Sequence, residues 1–166
     1  MRVAGAGDPA RVEAMVQGEL ERYREWAPDW QLPQPTPEAR ARLDAAFADP
    51  EVAWVLVAEA EGELVGVVSL SLTTAAKAER PVPGTVYLWQ MFARRDWQGT
   101  GLGGALMDRV IEEAGSRGFT RMILWTPRGA AQARRFYERE GWRPTGKEDT
   151  ASDFGLPLIE YERPIP

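Results

Sequence analysis

The sequence predicts one α/β domain built on a mixed, largely antiparallel sheet. Helical and strand-like segments alternate along the chain, two apolar strands join as a hairpin, and a glycine-dense loop leads from a further strand into a helix. The chain has 166 residues and no internal repeat, which suits a single core of ordinary size. We therefore assign residues 1–166 to one domain.

The N-terminal third is predicted to contain a short strand and two helices. Asp8 and Pro9 are typical of the N-cap and first turn of a helix, and the apolar residues that follow recur at helical spacing. Four prolines between residues 27 and 37 indicate a loop, and Thr36 before Pro37 begins the second helix in the same way. The expected bounds are 2–6 for the strand, 8–26 for the first helix and 36–48 for the second.

The middle of the chain is predicted to supply three strands. Trp54 to Ala60 and Leu64 to Leu72 are apolar and β-rich, and Glu61-Gly62-Glu63 between them is a hairpin turn. A polar, proline-containing turn over residues 75–84 precedes the central strand, Thr85 to Ala93. The hairpin makes the first two of these strands antiparallel neighbours.

The last third is predicted to alternate two helices with two strands. The helix after the glycine loop ends near Gly118, and a second helix over residues 130–140 stops at Gly141, a residue that suits a helix C-terminus. The strands are Arg121 to Trp125 and Leu158 to Arg163. The first helix has an apolar face formed by Leu102, Leu106, Val110 and Ala114.

The glycine-dense loop, residues 97–106 (WQGTGLGGAL), is typical of an anion-binding site. Glycine allows close backbone approach, and the first N–H groups of a helix lack internal partners. A P-loop is excluded, because Ala105-Leu106 follows the last glycine in place of Lys and Ser or Thr. Gly99, Gly101 and Gly104 match the dinucleotide spacing G-x-G-x-x-G, but no acid follows the next strand to bind a ribose. A phosphorylated ligand is expected, and a nicotinamide or nucleotide enzyme is disfavoured.

Two motifs make the assignment more specific through their order and spacing. Residues 98–103 read Q-x-x-G-x-G, and residues 136–142 read F-Y-x-x-x-G-W, with Trp in place of a final Phe. About 35 residues separate them, and a strand-like run lies between. From about residue 52 to 163 the chain therefore resembles the Gcn5-related N-acetyltransferase (GNAT) family.

The resemblance implies acetyl-CoA as cosubstrate and assigns residues to it. Members bind its pyrophosphate through backbone amides of the glycine loop, here Gln98, Gly99, Thr100, Gly101, Leu102, Gly103 and Gly104. They bind its pantetheine arm along the edge of the preceding strand, here through the backbone of Met91, Phe92 and Ala93. For the 3′-phosphate the alternatives are Arg95, Arg128 and Arg134.

The resemblance also implies direct transfer of the acetyl group to a primary amine. Tyr137 stands where members carry the general acid that protonates the leaving CoA thiolate. A phenol has an ordinary pKa near 10, so it holds its proton at neutral pH. The alternative role of Tyr137 is that of a core aromatic, and the backbone amide of Ala93 is the expected oxyanion contact.

Two positions depart from the family pattern. The strand before the loop carries Gln90 where many members have a glutamate base. The amine is therefore expected to lose its proton through water or through a carboxylate such as Glu25 or Asp29. Ala130 replaces the asparagine that usually opens the last helix, which removes one cosubstrate contact. A non-catalytic acyl-CoA-binding module on the same fold remains the alternative function.

The acceptor is expected beneath the loop Trp26-Ala-Pro-Asp-Trp30. Tryptophans beside carboxylates suit a cation or an aromatic amine, and a hydrophobic lid is the alternative for this loop. A small-molecule or a peptide amine would both be compatible with the sequence.

Composition excludes several classes of function. With no Cys and no His, the chain lacks a thiolate nucleophile and the commonest transition-metal ligands, so no metal is expected. Residues 94–143 carry ten Arg against six acidic residues, which suits a polyanionic cosubstrate, whereas the net charge of −5 argues against nucleic acid. No apolar run reaches the ~20 residues of a membrane span and no signal sequence opens the chain. We expect a cytoplasmic protein without membrane contacts; a homodimer is left open.

Overall fold

A computed structural model describes residues 1–34, 37–72 and 82–166. In this part of the chain, seven strands form one sheet in the order β1-β2-β3-β4-β5-β7-β6. The strands are β1 (Arg2–Val3), β2 (Ala53–Ala60), β3 (Glu63–Ser71), β4 (Thr85–Ala93), β5 (Arg121–Pro127), β6 (Arg143–Asp149) and β7 (Leu158–Pro164). The α-helices are α1 (Pro9–Glu21), α2 (Pro37–Ala48), α3 (Leu102–Ser116) and α4 (Ala131–Arg139). Because β4 and β5 form the one parallel pair among the described strands, the predicted α/β class and largely antiparallel sheet are confirmed.

The helices cover both faces of the sheet. Along β2, Leu56 packs into the larger core cluster, which contains residues of α3 and α4, whereas Val55 and Val57 pack into a smaller cluster with α1 and α2. Successive side chains of a strand point to opposite faces, so α3 and α4 lie on one face and α1 and α2 on the other. The predicted apolar face of α3 is confirmed, since Leu106 and Val110 are fully buried in the larger cluster.

The predicted β2–β3 hairpin is confirmed by the pairing of Ala60 with Glu63 across a two-residue turn. Glu61 and Gly62 have φ angles of +52° and +83°, as a type I′ turn requires. The right-handed twist of that turn matches the twist of the strands it connects, so this local signal favours the antiparallel pairing of β2 with β3.

The pairing of β4 and β5 is confined to the first three residues of each strand. Thr85 to Tyr87 pair with Arg121 to Ile123, after which β4 continues beside β3 and β5 continues beside β7. A bulge leaves Trp89 without an opposite residue, because Gln90 pairs with Ser69 and the next pair on β4 is formed by Leu88. The sheet therefore opens between the C-terminal ends of its two central strands.

Several predicted boundaries differ from the structure. The first strand ends at Val3 instead of residue 6, and the first helix ends at Glu21, where a 3₁₀ turn over Arg22–Glu25 continues it. Strand β6 was not predicted, because it is an exposed edge strand interrupted by Pro144 and Gly146, residues that disfavour strands. Thr36 and residues 75–81 of the predicted turn lie outside the described residues.

Asp8 occupies the predicted N-cap position of α1 but does not cap the helix with its side chain. Its buried carboxylate instead accepts hydrogen bonds from the Arg2 guanidinium at 2.7 and 2.9 Å and from the N–H of Gly5 at 2.8 Å. The ion pair between Arg2 and Asp8 connects β1 to the start of α1. Among the described helices, none has the length and apolar character needed to cross a membrane.

Candidate active site

The separation of β4 from β5 opens a cavity of about 880 Å³. Its walls come from the exposed edge of β4, the end of β5, the glycine loop with the start of α3, one side of α4, and the 3₁₀ turn after α1. The cavity is thus lined by elements from both faces of the sheet, and the unpaired edge of β4 offers backbone hydrogen-bonding groups to a ligand lying along it.

The glycine loop forms part of the wall of this cavity. Gly101 is the N-cap of α3 with φ at +93°, a left-handed conformation that favours glycine. The first intrahelical bond runs from the N–H of Ala105 to the carbonyl of Gly101 at 3.0 Å, so earlier N–H groups have no acceptor within the helix. No described side chain caps this end. The helix therefore presents free donors and the positive end of its dipole to the cavity.

Gln98 connects the glycine loop to both neighbouring elements. Its side-chain N–H donates to the backbone carbonyl of Ala93 at the end of β4 at 3.0 Å. Its side-chain oxygen accepts a hydrogen bond from the side-chain amide of Gln132 in α4 at 2.9 Å. These bonds hold the loop, the central strand and the last helix in a fixed arrangement around the cavity. Gln98 thus has a positioning role that does not depend on a ligand.

Tyr137 lies on the α4 wall of the cavity and is 8% exposed. Its ring contacts Phe136, Trp142 and Tyr161, with centroid distances of 5.5, 5.9 and 6.3 Å. Its hydroxyl makes no hydrogen bond to the described residues. Burial raises the pKa of the Tyr137 phenol above its ordinary value, and the nearby phenols of Tyr23 and Tyr87 raise it further. The group is consequently a proton donor at neutral pH, and it also fills the core, so both predicted roles are compatible with its position.

The three arginines predicted for a 3′-phosphate do not line the cavity. Arg95 pairs with Glu25 at 3.1 Å, Arg128 pairs with Glu148 of β6, and Arg134 donates to the hydroxyl of Tyr161 at 3.2 Å. Each cation already has a partner within the chain.

Two other arginines of α4, Arg135 and Arg139, do line the cavity. They are four residues apart and therefore lie on one side of the helix. Their helical spacing was visible in the sequence, but nothing local showed which side of α4 would face the glycine loop.

Of the residues predicted for the β4 edge, the glycine loop and the general acid, all but two line the cavity. Thr100 donates from its hydroxyl to the carbonyl of Trp97 at 2.7 Å, and Leu102 packs against the larger core cluster. Neither belongs to the cavity wall. The predicted residues that line it are Met91, Phe92, Ala93, Gln98, Gly99, Gly101, Gly103, Gly104 and Tyr137.

The carboxylates near the cavity differ from those predicted. Glu25 lines the wall but is paired with Arg22 at 3.3 Å as well as with Arg95, and Asp29 is absent from the wall. Glu19, which was not predicted, lines the cavity one helical turn before Tyr23. Gln90 faces Ser69 across the β3–β4 pair and does not line the cavity, whereas Ala130 lines it at the N-cap of α4.

The loop predicted to cover the acceptor is partly a packed structural element. Trp30 is buried, its ring lies 5.2 Å from that of Phe154, and its indole N–H donates to the Phe154 carbonyl at 2.8 Å. Trp26, in contrast, is 38% exposed and lines the cavity, with its ring 5.1 Å from that of Tyr23. Trp30 therefore packs the loop against the rest of the protein, and Trp26 forms part of the cavity wall.

The sequence and the fold are both similar to those of known proteins. The acetyltransferase (GNAT) family model matches residues 20–142. The chain is 29% identical over 120 residues to a mycothiol acetyltransferase of Beutenbergia cavernae, covering 72% of this chain and 37% of that protein. It is 34% identical over 89 residues to an uncharacterized N-acetyltransferase of Archaeoglobus fulgidus, covering 54% and 59%. The matched segments thus span roughly two to three fifths of the relatives' lengths.

The fold is also that of solved acetyltransferases. The crystal structure of an acetyltransferase of the GNAT family from Desulfovibrio desulfuricans superposes with a TM-score of 0.70 at 22% identity, covering 99% of this chain and 98% of the other. At that identity the likeness concerns the fold. Together with the family match over residues 20–142, it leads to one conclusion: the chain belongs to the acetyltransferase (GNAT) family.

Proposed function

We propose that this protein is an N-acetyltransferase that moves an acetyl group from acetyl-CoA to a primary amine by direct attack. The observation that carries the proposal is the position of Tyr137, a buried phenol on the wall of the cavity where β4 and β5 separate. The glycine loop and the unpaired edge of β4 border the same cavity. A proton donor, an anion-binding helix terminus and a free strand edge thus converge on one space.

The residues around the cavity fit acetyl-CoA. The free N–H groups at the start of α3 suit a pyrophosphate, and Arg135 and Arg139 add positive charge to the same cavity. The edge of β4 from Met91 to Ala93 suits the amide-containing pantetheine arm. When bound, acetyl-CoA supplies an activated acetyl group and a thiol leaving group.

In the proposed reaction the amine nitrogen forms a bond to the acetyl carbon as the carbon–sulfur bond breaks. Tyr137 donates its phenolic proton to the sulfur and regains one from solvent. The N–H of Ala93 is the proposed donor to the acetyl oxygen as negative charge develops on it. The amine loses its proton to water or to a carboxylate of the cavity. Glu19 and Glu25 are the carboxylates on the wall, and Glu19 has fewer cationic partners.

Replacing Tyr137 by Phe tests the proposal with a matched control. General acids contribute roughly 10²–10⁴-fold to rate, so Tyr137→Phe is expected to lower kcat by at least about 100-fold. The hydroxyl makes no hydrogen bond to the described residues, so folding and acetyl-CoA affinity should stay unchanged. Amine-dependent CoA release gives kcat, and calorimetry gives the dissociation constant.

Tyr161→Phe is the control, because it removes a hydroxyl from a buried neighbour that does not line the cavity. That hydroxyl donates to Glu138 at 2.8 Å, so the control should lose stability and keep kcat. An unchanged kcat in Tyr137→Phe would remove the acid role from Tyr137. Tight acetyl-CoA binding without acetylation of any amine would instead favour the acyl-CoA-binding module.

A further inference from the structure

The side of the cavity opposite Tyr137 is unusually aromatic. Tyr23 and Trp26 enter it from the region that follows α1, and Trp89 and Trp125 enter it from the two separated strands. Leu124 packs into the core beneath α3 and α4, so its neighbour Trp125 points to the α1 face. We call these four residues, together with Glu19, the aromatic chamber.

Trp26 closes one side of the aromatic chamber by crossing to the turn between β5 and α4. Its ring lies so close to Gly129 that a Cβ atom there would come within 2.5 Å of Cζ3. Gly129 therefore permits the indole to bridge the opening between the first helix and β5. Trp26 keeps one face against Tyr23 and remains 38% exposed, as a wall in contact with an entering molecule would be.

Glu19 places a carboxylate within the aromatic chamber. One of its oxygens accepts the backbone N–H of Arg95 at 3.0 Å, and the other lies 3.8 Å from Arg22 and accepts no hydrogen bond from the described residues. Arg22 lies between Glu19 and Glu25, so its charge is already compensated. The chamber thus offers one carboxylate oxygen to a cationic donor. The five described residues that define the chamber include no cation, and Arg135 and Arg139 line the cavity from α4 instead.

Tyr23 lies in the same environment as Glu19. Burial raises the pKa of Tyr23 to about 12, and the negative charge of Glu19 adds to the effect. The phenol stays neutral, so its ring remains an apolar, electron-rich wall beside the carboxylate.

From this arrangement we infer that the acceptor is a primary arylalkylamine, bound with its ring against the tryptophans and its ammonium group at Glu19. The inference rests on the proposed function and adds the class of substrate to it. The ring replaces water against apolar surface, and ammonium groups are attracted both by a carboxylate and by the faces of aromatic rings. The bound ammonium must release one proton before the nitrogen can attack, and Glu19 or a water held by it can accept that proton.

Three amines of different chemistry separate this acceptor class from others. The probes are 2-phenylethylamine, hexylamine, which has the same charge without a ring, and aspartate, an amine with excess negative charge. We expect kcat/KM for 2-phenylethylamine to exceed that for hexylamine by about tenfold and that for aspartate by about a hundredfold. Acetyl-CoA affinity is measured first by calorimetry, without any amine.

Variants of the aromatic chamber test the assignment of its residues. Glu19→Gln should raise KM for both cationic amines by about tenfold, whereas Trp26→Ala should affect 2-phenylethylamine much more than hexylamine. Gly129→Ala keeps the indole but displaces it, so it should resemble Trp26→Ala in milder form. Glu13→Gln is the control, because Glu13 lies on the same helix and pairs with Arg40 away from the cavity. Thermal unfolding checks that each variant is folded.

The outcomes distinguish the inference from the proposed function. Three results, each obtained with normal acetyl-CoA binding, would overturn the inference alone. They are a preference for aspartate, equal kcat/KM for the two cationic amines, and no turnover of 2-phenylethylamine. Failure to bind acetyl-CoA would overturn both. If Trp26→Ala still preferred 2-phenylethylamine over hexylamine to the same degree, the binding of the ring in the aromatic chamber would also be contradicted.

Discussion

Replacing Gly101 by Ala is expected to damage cosubstrate binding far more than folding. Gly101 has φ at +93° at the N-terminus of α3, and a Cβ atom there would meet no atom within 4 Å. The substitution therefore introduces backbone strain without a steric clash. The strain acts on the peptide that orients the first free N–H groups of the helix.

Gly118 offers a matched position at the other end of the same helix. It has φ at +80°, it is exposed, and a Cβ atom there would also meet no atom within 4 Å. A left-handed conformation costs an L-residue roughly 1–2 kcal/mol, and the lower entropy of the unfolded chain offsets up to about 1 kcal/mol of this. Both variants should lose about 1 kcal/mol of stability, or roughly 2–4 °C in Tm for a chain of this size.

The two variants should differ in their affinity for acetyl-CoA. A hydrogen bond to a charged group contributes roughly 1.5–3 kcal/mol, so loss of one donor at the start of α3 corresponds to at least about a tenfold rise in Kd. Gly118→Ala leaves that end of the helix intact and should bind as the unmodified protein does.

Calorimetric titration and thermal unfolding of both variants measure the two effects separately. The reasoning is refuted if Gly101→Ala shows the same Kd as Gly118→Ala at equal loss of stability. The anion site would then not depend on the conformation of Gly101.

Two further predictions concern pH. Because burial raises the pKa of the Tyr137 phenol, kcat should show no alkaline decline due to this group below the ordinary tyrosine value near 10; a decline centred near pH 8 that vanishes in Tyr137→Phe would contradict this. Hydrogen bonds from Arg2 hold the pKa of Asp8 well below its usual range, so its contribution to stability is complete above the unfolded value near 3.9 and falls as pH drops below it towards the folded value. Asp8→Asn should therefore lower the free energy of unfolding by about 2 kcal/mol at pH 7 and by progressively less below pH ~4, as measured by urea unfolding. Asp108→Asn, at an exposed position, is the control. A loss of stability in Asp8→Asn that does not change with pH would oppose the assignment.

The elements that the sequence predicted well are those with local signals. The β2–β3 hairpin follows from Glu61-Gly62 between two apolar runs, and the buried face of α3 follows from its apolar spacing. Strand β4 begins and ends where it was predicted, at Thr85 and Ala93. In each case neighbouring residues alone carry the information.

Strand β6 was missed because its stability comes from its partner. Its residues are mostly exposed and include Pro144 and Gly146, and it is held in place by pairing with β7. A strand that depends on a non-local ladder leaves little trace in its own composition.

The parts of the site that the sequence did not predict depend on distant residues. The opening between β4 and β5 arises because β5 follows β7 after three paired residues, which no local pattern encodes. The sequence also did not show which arginines in and just before α4 would line the cavity. Arg135 and Arg139 face the cavity, whereas Arg128 and Arg134 were equally cationic in the sequence but are engaged by Glu148 and Tyr161.

The central claim is that acetyl-CoA binds where β4 and β5 separate, and calorimetric titration of the unmodified protein tests it most directly. NAD is titrated alongside, because it is also a phosphorylated ligand and the same loop matches the glycine spacing of dinucleotide-binding proteins. The account predicts micromolar binding of acetyl-CoA and no heat from NAD. Binding of NAD alone, or of neither ligand, would contradict it.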